Sequence, residues 1–181
     1  PYFGMDKVKA ELEAVLNEEK LQTVLADGRV LNYDKVLIMG ILNITPDSFY
    51  ENSRTAIEEV VAKAGQMLAE GADILDIGGE STRPGSEAIA AEEEQARVVP
   101  VIKALRKAYP EAVLSIDTYR ASTARAAIHA GADIINDISA MEADAEMLDV
   151  VCETKAPIIL MHMRGTPKDM QTQCEYKNVV E

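Results

Sequence analysis

The sequence predicts an α/β protein of the (β/α)8 TIM-barrel class, with about the first five βα units present in this chain. Two observations carry this expectation. Five short aliphatic runs, 36–43, 74–79, 113–118, 134–139 and 157–162, recur along the chain and are separated by segments of helical periodicity, the pattern of parallel strands joined by right-handed crossovers. In addition, the first run ends in Asn43-Ile44-Thr45-Pro46-Asp47 rather than in the glycine-rich phosphate fingerprint that usually follows the first strand of a doubly wound sheet. Because the runs are nearly continuous, they read as strands covered on both faces with the inside-outside alternation lost.

The elements follow in order. Residues 6–20 have an amphipathic helical pattern, and residues 23–31, with Asp27-Gly28 at their centre, read as a hairpin. These form an N-terminal part, 1–35, ahead of an incomplete barrel domain, 36–181. The first helix of the barrel is expected from Thr55, which makes an S/T-x-x-E capping box with Glu58, to a C-terminal glycine at Gly71. The second spans 91–109, where Pro100 should kink or divide it. The third and fourth are expected at 122–130 and 145–154. An internal echo, Gly-Ala-Asp-Ile-Leu at 71–75 and Gly-Ala-Asp-Ile-Ile at 131–135, marks a repeated step from helix end to strand start. Five units fall short of the roughly 250 residues that an eight-stranded barrel takes, so the chain is expected to be part of a longer protein.

Composition excludes several classes. A formal net charge of -13 is the wrong sign for a general nucleic-acid or anionic-membrane partner, both of which demand a basic footprint. No apolar run approaches the ~20 residues of a membrane-spanning helix. The two cysteines, Cys152 and Cys174, form no CxxC pair, which fits a reducing, cytoplasmic setting.

Catalytic groups of βα barrels sit at the C-terminal ends of the strands, and here those ends are polar. Asn43 and Asp47 follow the first strand. Asp76, Glu80, Thr82 and Arg83 follow the second, Asp117 the third, Asn136 and Asp137 the fourth, and His162 the fifth. An amide oxygen suits a hard cation, an arginine suits an anion, and a carboxylate beside a carboxamide can read a mixed donor-acceptor edge. Each also has a plainer reading: Asn43 or Asp47 as a turn residue, Arg83 as a solvated loop cation, and Asp117 as the cap of the next helix. Asp76 and Asp137 read as interior layer residues or as orienters of their neighbours, Glu80 as a brace for the following loop, and His162 as a structural histidine.

Five motifs in order, Leu42-Asn43-Ile44-Thr45-Pro46-Asp47-Ser48-Phe49, Asp76-Ile77-Gly78-Gly79-Glu80-Ser81-Thr82-Arg83-Pro84-Gly85, Ser115-Ile116-Asp117-Thr118-Tyr119-Arg120, Ile135-Asn136-Asp137-Ile138-Ser139 and Leu160-Met161-His162-Met163, resemble the dihydropteroate synthases. This is a pterin-binding TIM-barrel family of folate biosynthesis and the target of sulfonamides. The resemblance spans about 36–171. It implies a transferase that condenses 4-aminobenzoate with 6-hydroxymethyl-7,8-dihydropterin pyrophosphate, giving 7,8-dihydropteroate and pyrophosphate. By the same resemblance, Asn43 meets Mg2+ and the pyrophosphate, Asp47 lies in a first catalytic loop, and Thr82 and Arg83 lie in a second, substrate-binding one. Asp117 and Asn136 contact the pterin, with Ile138 and Met161 walling its slot, and Asp117 stabilises positive charge on the pterin as pyrophosphate leaves. A homodimer is implied for the full-length protein. Two alternatives keep Asp117 and Asn136: a methyltetrahydrofolate-binding methyltransferase domain and a non-catalytic pterin-binding paralogue. The chain departs from the family at Tyr50-Glu51-Asn52-Ser53, where a glycine-containing stretch is usual. The later DPGxGF, SRK-type and Arg-x-His segments are not in this sequence, so the resemblance implies no complete pocket, and no turnover, for this segment alone.

Overall fold

A computed structural model describes residues 21–44, 54–80, 89–165, 172, 175, 177 and 178. The elements, in order, are β1 (Gln22–Val24), β2 (Val30–Asn32), β3 (Met39–Asn43), α1 (Arg54–Ala69), β4 (Ile74–Gly78), α2 (Ala91–Ala108), β5 (Val113–Asp117), α3 (Ala121–Ala130), β6 (Ile134–Asp137), α4 (Met147–Thr154) and β7 (Ile158–Leu160). Strands β3 to β7 form one parallel sheet in sequential order, while β1 and β2 pair antiparallel as a separate hairpin. Sequential parallel order with a crossover at each step is the topology of consecutive βα units in a barrel. The helix expected at 6–20, together with Asp47, Thr82 and Arg83, lies outside the described residues.

The expected covering of both faces holds for the central strands, with β4 buried along its whole length and β5 along all but its last residue, and the register sorts their residues between the two faces. Paired residues of a parallel ladder point to the same face. Leu42, Ile77, Ile116, Ile135 and Ile158 form one row across the sheet. The first four are buried with Val98, Val101, Ile102, Leu105 and Met147 of the helices. The opposite face is graded along the strands. Met39, Ile74 and Val113 start it, Ile41, Asp76, Ser115 and Ile134 follow, and Asn43, Gly78, Asp117 and Asn136 end it. The helix-facing side is therefore mainly aliphatic, with Asp137 as a buried polar member at the end of β6. The other passes from apolar to polar toward the C-terminal ends, which in one dimension blurs the period.

The hairpin closes the apolar end of that second face. Leu25 is buried against Ile74, Val113 and Ile134, with Leu31 and Met39 packed beside them, worth about 1.5–3 kcal/mol for a fully buried leucine. Its turn is held by Gly28, at φ 89°, whose N–H donates to the Leu25 carbonyl at 2.9 Å. Arg29 ties it to the barrel units by donating to Asp133 Oδ1 at 2.5 Å and to the Glu111 carbonyl at 3.0 Å.

The 71–75 and 131–135 echo has a structural basis. Gly71 and Gly131 take φ of 105° and 114°, and each ends its helix with the paired hydrogen bonds of a left-handed cap: Gly71 to Leu68 and Ala72 to Met67, Gly131 to Ile128 and Ala132 to Ala127. Two residues on, Asp73 and Asp133 play one role. The Ile38 N–H donates to Asp73 Oδ2 at 2.9 Å and the Leu114 N–H to Asp133 Oδ2 at 2.8 Å. The aspartate N–H groups donate back to the Ile38 and Leu114 carbonyls. Each aspartate thus fixes the starting register of its strand against the preceding one.

Several boundaries move. The run from 36 pairs only from Met39, because Val36 stands 87% exposed. The last strand contracts to Ile158–Leu160. Helix α1 already runs at Arg54, so Thr55 is inside it and not its N-cap. Pro100 neither divides α2, which continues from Ala91 to Ala108, nor sets a boundary. The helices expected from 122 and 145 begin at Ala121 and Met147.

Candidate active site at the strand ends

The polar row at the C-terminal ends of β3 to β6 brings Asn43, Asp117 and Asn136 together. They stand in register with Gly78 between Asn43 and Asp117. A Cβ on Gly78 would lie 3.4 Å from Asn43 Oδ1 and 3.5 Å from Asp117 Oδ2, so the missing side chain leaves open the space that these two groups flank. Behind this row, Asn136 Nδ2 donates to Asp76 Oδ2 at 3.1 Å. This bond spans the intervening strand β5. Strands two apart in a flat sheet are separated by roughly 9.6 Å, so the two side chains lean toward each other over this face.

Electrostatics set the row apart from an ordinary surface. Burial, then the neighbouring carboxylates Asp76, Glu94, Asp137 and Glu80, push the Asp117 carboxyl up to about 7. Burial also raises Asp76, against the opposing pull of Ser115 and Asn136. Asp76 Oδ1 and Ser115 Oγ nevertheless lack a partner at hydrogen-bonding geometry among the described residues. Buried polar atoms in this condition cost stability unless a ligand, water or further protein group meets them.

The candidates now separate. Asp117 is not the cap of the next helix: the carboxylate that accepts the first N–H of α3, from Ala121 at 2.8 Å, is Asp144. Asp137 is buried toward the helices and is spent on structure, accepting from Ser139 N and Oγ and from Met141 N. It thereby holds Ala140 and Met141 at φ of 53° and 67°, a left-handed pair that non-glycine residues adopt only when surroundings enforce it. Asp76 is the orienter of Asn136. Ile138 and Met161 are half-buried just beyond β6 and β7, and His162 is exposed. Sequence reasoning did not single out Gly78, Ser115, Glu94 or Arg120 as functional. The period-two spacing of Asp76 with Gly78 and of Ser115 with Asp117 was the available signal for the first two.

A second polar group lies beside the row. Arg120 Nη1 donates to Glu80 Oε2 at 2.5 Å and to Glu94 Oε2 at 3.0 Å, and Nη2 donates to the Ile89 carbonyl at 2.8 Å. Tyr119 donates to Glu80 Oε1 at 3.0 Å, and Thr123 donates to Glu94 Oε2 at 2.8 Å. Burial and the bond to Glu80 push the Tyr119 hydroxyl up to about 12, so it remains a donor. Glu80, the last described residue before 81–88, is thus held by both Tyr119 and Arg120.

Comparison with known proteins places this geometry. Residues 39–181 match the family model described as pterin binding enzyme. The chain is 51% identical over 136 residues to the dihydropteroate synthase of Streptococcus pyogenes serotype M18, covering 75% of this chain and 51% of that protein. It is 46% identical over 146 residues to the folic acid synthesis protein fol1 of Schizosaccharomyces pombe, covering 80% of this chain and 20% of that protein. Among solved structures, the Xanthomonas albilineans dihydropteroate synthase with 4-aminobenzoic acid superposes with a TM-score of 0.72 at 44% identity, covering 86% of this chain and 54% of that one. The Yersinia pestis dihydropteroate synthase in a sulfonamide drug complex gives a TM-score of 0.78 at 38% identity, covering 88% and 57%. The chain spans about half the length of most of these relatives. With the family model matching well over half of its residues, and four βα units and a fifth parallel strand of the barrel described, the chain belongs to the pterin binding enzyme family.

Proposed function

We propose that the protein to which this chain belongs is a dihydropteroate synthase, which displaces pyrophosphate from 6-hydroxymethyl-7,8-dihydropterin pyrophosphate with the amine of 4-aminobenzoate. The observation that carries the reading is the in-register row of Asn43, Asp117 and Asn136 around the space left by Gly78. The similar Xanthomonas albilineans structure holds 4-aminobenzoic acid and the Burkholderia cenocepacia one holds 7,8-dihydropteroate, which supports the choice of substrates.

In this reading Asp117 and Asn136 hold the pterin. Its amino and ring N–H donors meet the Asp117 carboxylate, and the Asn136 amide, already turned by Asp76, meets the mixed edge. Ile138 and Met161 supply apolar walls. As the bond from the pterin methylene carbon to the pyrophosphate oxygen breaks, that oxygen keeps the electron pair and positive charge spreads into the pterin. A fixed carboxylate stabilises that charge more than it stabilises the ground state. The amine then forms the new C–N bond and loses a proton. Asp47, Thr82 and Arg83 are assigned to the loops facing the amine and the phosphates.

Asn43 suits magnesium in one respect: it offers a neutral oxygen at the mouth of the row. Among the described residues no group of three or more His, Cys, Asp or Glu side chains is placed to hold a metal. Asn43 would hold such an ion through its amide oxygen, a ligand type that suits Mg2+. When bound, it would neutralise charge on the departing pyrophosphate. No helix among the described residues is long and apolar enough to cross a membrane. A cytoplasmic homodimer belongs to the same proposal.

The test is pyrophosphate release from the pterin substrate by the full-length protein, with and without 4-aminobenzoate. Amine-dependent release is expected. Pterin binding without release under either condition would leave a pterin-binding paralogue as the better reading.

A further inference from the structure

Asp137 ends β6 on the helix-facing side and is 0% exposed, so it is out of reach of any substrate. Its polar atoms converge on its neighbours instead. The carboxylate accepts from Ser139 N at 2.8 Å, Ser139 Oγ at 2.7 Å and Met141 N at 2.8 Å, and the carbonyl accepts from Met161 N at 3.2 Å and Ala140 N at 3.3 Å. The carboxylate bonds shape the turn that Ile138 opens, and the bond from Met161 carries the pairing of β6 with β7 one step past Leu160. Asn136 and Ile159 pair on the inner face of the sheet, and by the alternation of strands Ile138 and Met161 are the next pair on that side, beyond Asn136. We propose that Asp137 is a positioning residue for the reaction assigned above, one buried group that sets Ile138 and Met161 together as the walls beyond Asn136. The inference rests on that functional reading for its effect on pterin binding, though not for the tie itself.

Three features argue that the tie is built for placement. First, the turn is held in a form that its residues disfavour. Ala140 and Met141 stand at φ of 53° and 67°, a left-handed pair that glycine adopts freely and other residues adopt only under enforcement. Stability alone would be served by glycine and an uncharged core residue, since burying a carboxylate carries its own desolvation cost. Second, the bonding pattern demands both oxygens of a carboxylate: Oδ1 takes the two Ser139 donors and Oδ2 takes the Met141 N–H. An amide has a single acceptor oxygen and would set its NH2 against one of these donors. Third, the turn is braced toward the site. Ser139 Oγ accepts from Ala143 N at 3.2 Å, and the adjoining Asp144 accepts from Ala121 N at 2.8 Å, which ties the turn to the segment that follows Asp117.

The experiment compares Asp137→Asn, Ser139→Ala and the double variant Asp137→Asn with Ala140→Gly against the parent in the full-length protein, measuring 6-hydroxymethylpterin affinity, melting temperature and both substrates' kinetics. Asp137→Asn is expected to lower the melting temperature, and to weaken pterin affinity and raise KM for the pterin substrate by roughly tenfold. KM for 4-aminobenzoate should stay within about twofold. Ser139→Ala, which removes the hydroxyl and keeps the backbone donor, should act in the same direction with a smaller effect. The double variant separates placement from stability: glycine takes the left-handed conformation unaided, so the melting temperature should recover while pterin affinity stays low. If Asp137→Asn alone does not fold, the double variant and Ser139→Ala carry the comparison. Recovery of affinity along with melting temperature, or unchanged affinity in every variant, would overturn the proposal. Amide hydrogen exchange reads the tie without turnover. The acceptor of the Met161 amide is a backbone carbonyl that Asp137→Asn leaves in place, so its exchange should speed up roughly tenfold, with α3 and β5 still protected, only if the two walls are held as one. Should the parent bind no pterin and release no pyrophosphate, the functional reading fails and exchange alone decides the tie: an unchanged Met161 amide rejects it.

Discussion

The Asn136 amide reaches the Asp76 carboxylate 3.1 Å away across an intervening strand, so the orientation of a candidate pterin contact is set two strands from its own. Asp76 is raised by burial and keeps one oxygen without a partner among the described residues. Removing the donor would leave a buried carboxyl with still less compensation. Asn136→Leu, which keeps the branch at Cγ while removing both polar atoms, is expected to cost about 2 kcal/mol and to abolish detectable pterin binding. Chemical denaturation paired with calorimetry checks both. Retained pterin affinity would show that Asn136 only supports Asp76.

A pH dependence follows from Asp117. Its carboxyl is pushed from the usual value near ~3.9 up to about 7, by burial first and then by Asp76 and the other carboxylates. Between these values the folded state holds a proton that the unfolded chain has lost, so folding stability falls as pH rises through this window and levels off above about 7. Asp117→Asn should flatten that part of the profile and be more stable than the parent at pH ~8. Pterin binding runs the other way, because the ionised carboxylate is the acceptor. Its affinity should weaken up to about tenfold per unit below pH ~7. Denaturant midpoints and calorimetric titrations across pH ~5–8 measure the two slopes, and a shared sign would contradict the assignment.

Two adjacent glycines should give opposite phenotypes. A Cβ on Gly79 would lie 2.8 Å from Val98 Cγ1 and 3.3 Å from the Glu94 carbonyl, so Gly79→Ala forces α2 outward and is expected to cost about 1–3 kcal/mol. A Cβ on Gly78 meets only ordinary contacts at 3.4 Å and beyond. Gly78→Ala should keep the melting temperature within a few degrees while losing pterin affinity by at least roughly tenfold. Reversal of this pattern would show that the opening beside Gly78 is not used.

At the other end of the strands, Asp133 accepts from Arg29, Arg106 and the Leu114 N–H. Asp133→Ala removes the carboxylate shared by two partly buried guanidiniums, which keep only their other partners, and should destabilise by about 2–4 kcal/mol. Pterin affinity measured well below the melting temperature should be unchanged. Loss of binding at full folding would place the hairpin in the site.

These contrasts show what a linear reading can reach. The strands were legible because β-branched runs ending in polar residues are the direct imprint of a sheet whose chemistry is gathered at one end. The 71–75 and 131–135 echo was visible as a repeat. Its cause, a left-handed glycine followed by an aspartate that sets strand register, needed the partners Ile38 and Leu114, which lie 35 and 19 residues away. The two roles open to Asp117 were separated only when Asp144 was found at the start of α3. Pro100 does not divide α2, which runs on to Ala108 with Val98, Val101 and Ile102 buried in the core on either side of it. Arg120 was quoted within a motif but given no task, since Glu80, Ile89 and Glu94 are 40, 31 and 26 positions distant.

The opening at Gly78 has a final consequence. Any side chain there would be a tethered competitor for the space beside Asn43 and Asp117, where the proposed substrate would lie. Graded occupancy by Ala, Ser and Val at this one position would therefore act as a ruler, reading out in binding energy how closely the substrate approaches the β4 backbone.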